Sequence, residues 1–135
     1  MRSALAQQIL TAVQDAATEG GFAVCATVVD EAAHPVAFVR MDGAQRGPAE
    51  VSLRKARTAA LFGTDSAELG QEARPGGAIY TLEHTNGGLI SFGGGVVVRD
   101  ADGNTIGAVG VAGATVAADE ELAQTGARTA AAILA

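Results

Sequence analysis

The chain has 135 residues, of which 48% are hydrophobic and only 4% aromatic, with no tryptophan. That length suffices for one packed domain over residues 1–135 and is too short for two. The net charge of −6, with only nine basic residues mostly scattered, argues against nucleic acid and anionic membrane surfaces as partners.

Other bulk features narrow the class further. The core must be filled by Ala, Val, Leu and Gly, each burying little area, so a monomer would be modestly stable and a homo-oligomer is expected. The lone cysteine, Cys25, rules out an internal disulfide and a cysteine-based zinc site. Its strand-like surroundings predict a small buried hydrophobe. Gln7, Gln8, Gln14 and Asp15 interrupt any export-signal core, and no apolar run has the length of a membrane span. The expected location is cytoplasmic.

In chain order, Leu5, Ile9, Ala12, Val13 and Ala16 recur at helical spacing between Ser3, a candidate cap, and the stop at Gly20-Gly21. Residues 22–30 are nearly all apolar and rich in β-branched types, which predicts a central strand. A short turn and a second strand, residues 36–41, complete a hairpin. Pro48 suits the first turn of a helix reaching Phe62. Its predicted core stripe is Ala49, Leu53, Ala56 and Ala60, with Glu50 and Arg54 spaced to pair.

A short helix is predicted over 65–72, followed by an irregular stretch over 73–88 that holds Tyr80, Glu83 and His84. Residues 89–92 read as a strand ending at the Gly93-Gly94-Gly95 bend, and Val96–Arg99 as the next strand. Asp102-Gly103 signals a two-residue hairpin turn. Residues 105–112 form the last strand, and a final helix runs over 116–134 with Leu122, Gly126, Ala130 and Ile133 inward. Asp119 falls on that inward stripe. Hairpins mixed with helices, without repeated βαβ units, predict an α+β fold built on an antiparallel sheet.

Few residues can carry chemistry. The glycine bend lacks the phosphate-loop pattern and opens no helix, so it reads as a sheet bend or as backbone left bare for a flat ligand. His34 sits in a tight turn, which makes it a solvated residue. His84, in the long loop, is the better candidate metal or haem-iron ligand, with Met41 and Tyr80 as other soft or phenolate donors. Lys55 is set apart from the charged flank of its helix, beside Ser52 and Ala59. It is either a solvated lysine or a cleft lysine facing a ligand carboxylate. Asp119, near a helix N-terminus, is a cap or a site residue. Arg40 and Asp42 lie where the second strand exits. No Ser-His-Asp arrangement and no G-x-S-x-G segment is present.

Four segments together resemble one family. They are Val28-Val29-Asp30 through Val36–Ala44 with its Arg40-Met41-Asp42-Gly43-Ala44 run; Lys55-Ala56-Arg57-Thr58-Ala59; Gly93-Gly94-Gly95 with the following strand; and Asp102-Gly103 through Gly113, followed by Asp119-Glu120. Their order and spacing are similar to the GlcG/HbpS family, which includes the C-terminal domain of PduO-type proteins. The resemblance implies a profilin-like fold, with a five-stranded antiparallel sheet, helices packed on both faces, and assembly from dimers up to octamers. It also implies haem-binding, haem-degrading or corrinoid-associated roles, often beside catabolic enzymes. This chain has no histidine in its first helix, where some relatives attach haem. It carries Ala32-Ala33 where the family often has a glycine in the first hairpin turn.

The expected function is binding of a small molecule, haem or another flat anionic ligand, as an accessory to a catabolic or biosynthetic pathway. The pocket is expected to combine Arg40, Asp42, Lys55, His84, Phe92, Gly94 and Gly95, with His84 as iron ligand. The alternative is a cofactor-independent isomerase, cyclase or lyase acting on a small organic acid in the same pocket. Lys55 or Arg40 would then steady an oxyanion, and Asp119 or His84 would move a proton.

Overall fold

The computed structural model describes all 135 residues. Its elements are α1 (Ser3–Glu19), β1 (Cys25–Asp30), β2 (Pro35–Arg40), α2 (Gly47–Phe62), α3 (Ser66–Glu72), β3 (Gly95–Arg99), β4 (Thr105–Ala112) and α4 (Val116–Leu134). A 3-10 turn at Leu82–His84 interrupts the long loop. The strands form one antiparallel sheet in the order β2-β1-β4-β3.

The sheet has four strands, not five. Residues 89–92 do not join it, because side chains take the bonds a strand would have made. Ile90 N–H donates to Thr58 Oγ1 at 3.0 Å, and Ser91 N–H to the Glu83 carboxylate at 3.2 Å. Ser3 begins α1 rather than capping it; Arg2 stands at the cap position and makes no side-chain cap bond.

Helices cover both faces, as the period of two along each strand requires. Ala26, Val28, Val96, Val98, Val109 and Val111 face α1 and α4, where Leu5, Ile9, Val13, Leu122 and Ala130 complete the larger core. Val29, Val97 and Ala108 face α2 and meet Ala56, Ala59 and Ala60. This second interface is built from small residues. A Cβ at Gly110 would collide with the Ser52 carbonyl oxygen, and one at Gly95 with the Lys55 carbonyl oxygen. Backbone therefore lies on backbone. Of the predicted α2 stripe, Ala56 and Ala60 are buried and Ala49 and Leu53 only partly so; the buried face is rotated to include Ser52, Lys55 and Ala59. A buried hydrogen bond of 2.8 Å between Thr27 and Ser52 hydroxyls fixes that rotation. In α4, Ile133 is exposed rather than inward.

The outer edge of β3 is closed by side chains from the start of α3. Gly95 N–H donates to Ser66 Oγ at 2.9 Å and Val97 N–H to Asp65 Oδ1 at 3.0 Å. Asp65 and Ser66 thus stand where a neighbouring strand would be.

The two hairpins share one design. Asp30 Oδ1 accepts from Ala32 and His34 N–H, and Asp100 Oδ1 accepts from Asp102 and Asn104 N–H, all at 2.9 Å. The fourth position of each turn has positive φ: Ala33 at 67° and Gly103 at 84°. The second turn is therefore longer than the two-residue hairpin expected at Asp102-Gly103. The N–H donors, first those of His34 and Asn104 respectively, hold both carboxyls below the ordinary 3.8.

Two expectations follow. Nothing lies within 4 Å of a Cβ at Gly103, so Gly103→Ala should cost only the left-handed backbone penalty of about 1–2 kcal/mol in urea denaturation. Gly110→Ala should cost more, because α2 must move. Because both aspartates have depressed folded values, their contribution is present above the ordinary 3.8 and is lost as pH falls through the folded values. Asp30→Asn and Asp100→Asn should each flatten the acid limb of a stability–pH curve, and an unchanged limb would discount the turn bonds.

Candidate functional site

Lys55 is the only lysine in the chain; the other eight basic residues are arginines. It is 1% exposed. Its position on the buried face of α2, above the bare backbone of Gly94 and Gly95, drives the side chain past the end of the sheet. A Cβ at Gly94 would lie 2.6 Å from Lys55 Nζ. The ammonium donates to the Val111 carbonyl oxygen at 2.8 Å and to Asp119 Oδ2 at 3.1 Å. It also lies 5.1 Å from the centroid of the Phe92 ring. Asp119, 3% exposed, accepts from Ala114 N–H through Oδ1 at 2.9 Å. The pair thus ties α2 on one face of the sheet to α4 on the other.

The pair is out of water, which sets its electrostatics. Desolvation pushes the Lys55 pKa below 10.5, against the upward pull of Asp119 and, more weakly, Glu120. Glu120 has its own task. Its Oε1 accepts from Gly94 N–H at 2.9 Å and its Oε2 from Gln124 at 2.8 Å, while Gln124 also reaches Asp65 at 3.2 Å. Glu120 so holds the glycine bend that carries Phe92.

A cleft of ≈ 390 Å³ opens beside the pair, between the N-terminal ends of α2 and α4. Pro48, Val51, Phe92 and Val116 form apolar walls, with Lys55 and Asp119 at the floor. Phe92 is 43% exposed and also borders a second opening beside Gly70 and Arg74. The largest depression, ≈ 510 Å³, lies elsewhere, along the β3 edge among Asp65, Glu68, Arg99, Asp100 and Arg128. It is broad and ionic. The smaller cleft has the apolar walls, and the buried charge, that small-ligand sites combine.

The structure brings Lys55, Asp119, Phe92 and Gly94 together. Gly95 lies beneath Lys55 on the sheet side. Arg40 pairs with Cys25, which pairs with Ala112 of the cleft wall, so it stands two strands away, about 10 Å by strand spacing. Arg40 and Asp42 are exposed and make no ion pair with each other. His84 is exposed on the 3-10 turn and is absent from the cleft walls. His34 is solvated beside Asp30, and Cys25 is buried. No group of three His, Cys, Asp or Glu residues is placed to hold a metal ion. No helix is long and apolar enough to cross a membrane. Sequence reasoning missed Glu120 as the anchor of the bend. The signal for Lys55 was its place on α2 apart from the charged flank, beside Ser52 and Ala59.

A four-stranded antiparallel sheet between two helical layers defines an α+β protein. The family model described as "Haem degrading protein HbpS-like" matches residues 1–128, and the chain belongs to that family. The crystal structure of Klebsiella pneumoniae protein ORFY superimposes with a TM-score of 0.92 at 37% identity, over 96% of this chain and 90% of that one. The crystal structure of the PduOC–haem complex does so with a TM-score of 0.90 at 31% identity, over 96% and 94%. Protein GlcG of Escherichia coli K12 is 37% identical over 107 residues, 79% of this chain and 77% of GlcG.

The ion pair makes a stability prediction. Lys55→Met strands a buried carboxylate and should cost about 3–5 kcal/mol; adding Asp119→Asn should recover part of the loss. Equal stability of single and double variants in urea would show that the pair is not coupled. The folded Lys55 value is lowered, so the unfolded chain binds the extra proton between that value and 10.5. The Lys55 contribution to stability should therefore rise with pH across that window, and Lys55→Met should lack the rise.

Proposed function

We propose that this chain binds a small molecule in the cleft beside Lys55, as an accessory protein of a catabolic or biosynthetic pathway. One observation carries the reading: the only lysine is buried, already paired, and forms the floor of an apolar-walled opening. Phe92 supplies a flat face for a planar ligand, and Gly94 has no side chain where Lys55 Nζ lies. Lys55 supplies the positive charge that an anionic ligand group meets, while Arg40 and Asp42 stand outside the cleft walls. The same proposal includes a homo-oligomer, since the exposed Phe22, Phe38, Phe62 and Ile133 leave apolar surface for a second copy.

Haem is the first ligand to test, because PduOC has been crystallised with it. The cleft walls carry no imidazole and no sulfur donor, and the Met41 sulfur is occupied by Val24 N–H at 3.5 Å. The residues present therefore do not fit an iron-ligated haem inside the cleft. His84 would hold iron only at the surface of the long loop. A porphyrin in the cleft would rely on the Phe92 face and on propionate pairing.

Haemin titration of the purified chain, followed at the Soret band, tests this. Phe92→Ala should weaken saturable binding about tenfold, equivalent to about 1.4 kcal/mol, and His84→Ala should leave it unchanged. A band lost in His84→Ala would move the haem to the loop. No saturable shift in the wild type would remove haem as the ligand.

The second reading, a cofactor-independent isomerase, cyclase or lyase, is favoured by the carboxylate 3.1 Å from a lysine whose pKa is lowered.

A further inference from the structure

We infer that Lys55 is a carbonyl-capturing amine: its Nζ, at the floor of the cleft and 3.1 Å from Asp119 Oδ2, forms an imine with a small aldehyde or ketone. The inference rests on the cleft reading above and names its substrate class.

Three observations support it. First, residue choice. Eight of nine basic positions are arginine, which stays charged under all ordinary conditions. The only position with an amine is the one that is buried at a cleft. A structural ion pair alone would suit arginine's fork; an amine adds nucleophilicity once it loses a proton. Second, geometry. Nζ spends two of its three donors on Val111 and Asp119, leaving one direction towards the Phe92 ring. Phe92 is half-exposed and bordered by openings on both sides, so a ring displacement uncovers Nζ without moving the backbone. Third, proton handling. Burial already favours the neutral amine, and Asp119 is within hydrogen-bond reach to take the proton.

The step balances without oxidant or reductant. The ammonium passes one proton to Asp119, and the neutral nitrogen attacks the carbonyl carbon. The carbonyl oxygen gains the proton from Asp119 and a second from nitrogen, and leaves as water. A protonated imine remains, so the charge beside Asp119 is preserved. Apolar walls of Pro48, Val51 and Val116 favour a short aliphatic chain on the carbonyl.

The test is reductive trapping with propanal and cyanoborohydride on the full chain at neutral pH, with mass mapping of the propyl adduct. The chain offers only two amines, Lys55 and the Met1 α-amine, so the second is an internal control. Lys55 should be labelled at least about tenfold faster than N-acetyl-lysine amide in the same tube, faster again in Phe92→Ala, and more slowly in Asp119→Asn. Labelling confined to Met1 in both wild type and Phe92→Ala, or Lys55 labelling slower than the free model amine, overturns the inference. Haemin titration of the same preparation separates the two readings. Phe92-dependent haemin binding without a Lys55 adduct overturns the imine alone. Loss of both overturns the cleft assignment as well.

Discussion

The close approach of α2 to the sheet is the constraint from which the rest of the molecule follows. It exists because Gly95 and Gly110 offer no side chain where the Lys55 and Ser52 carbonyl oxygens come down. Any residue larger than glycine there would lift the helix. With α2 so low, its facing residues must be small, and Ser52, Ala56 and Ala59 are. The one long side chain on that face has no room beneath the helix. Lys55 therefore runs along the sheet to its end, where β3 begins, β4 finishes and α4 starts. The site is thus a product of packing as much as of chemistry.

At that end the electrostatics of two layers meet. An ammonium out of water is costly unless an opposite charge and further acceptors receive it. Asp119 and the Val111 carbonyl do so here. The carboxylate is in turn oriented by Ala114 N–H, and the neighbouring Glu120 fixes the bend above. Each polar atom at the floor has a partner within the chain, and no buried side-chain nitrogen or oxygen is left unsatisfied. The floor of the cleft is therefore preformed.

Much of this was legible in the sequence. Strand and helix order, the buried Cys25, the solvated His34 and the inward Asp119 all follow from local pattern. Residues 89–92 misled because their apolar run has strand composition, while the competing bonds come from Thr58 and Glu83, distant in sequence. The face of α2 misled for a related reason. Helical spacing allowed several stripes, and only the glycine floor selects the one that includes Lys55. The meeting of Lys55 with Asp119 is a contact across 64 positions. Local periodicity places each residue on its helix but does not join them. Glu120 was invisible as an anchor because its partner is a backbone N–H, which no residue identity announces.

The two borders of the sheet differ. On one, Asp65 and Ser66 mimic a neighbouring strand and occupy the outward donors of β3. On the other, β2 forms the border, and its Phe38 is 49% exposed. The sheet can thus be lengthened from one side only. Two copies joined through β2 would each use up their one open border and present closed ones outward. Strand addition through β2 would therefore be self-limiting, ending at a closed pair.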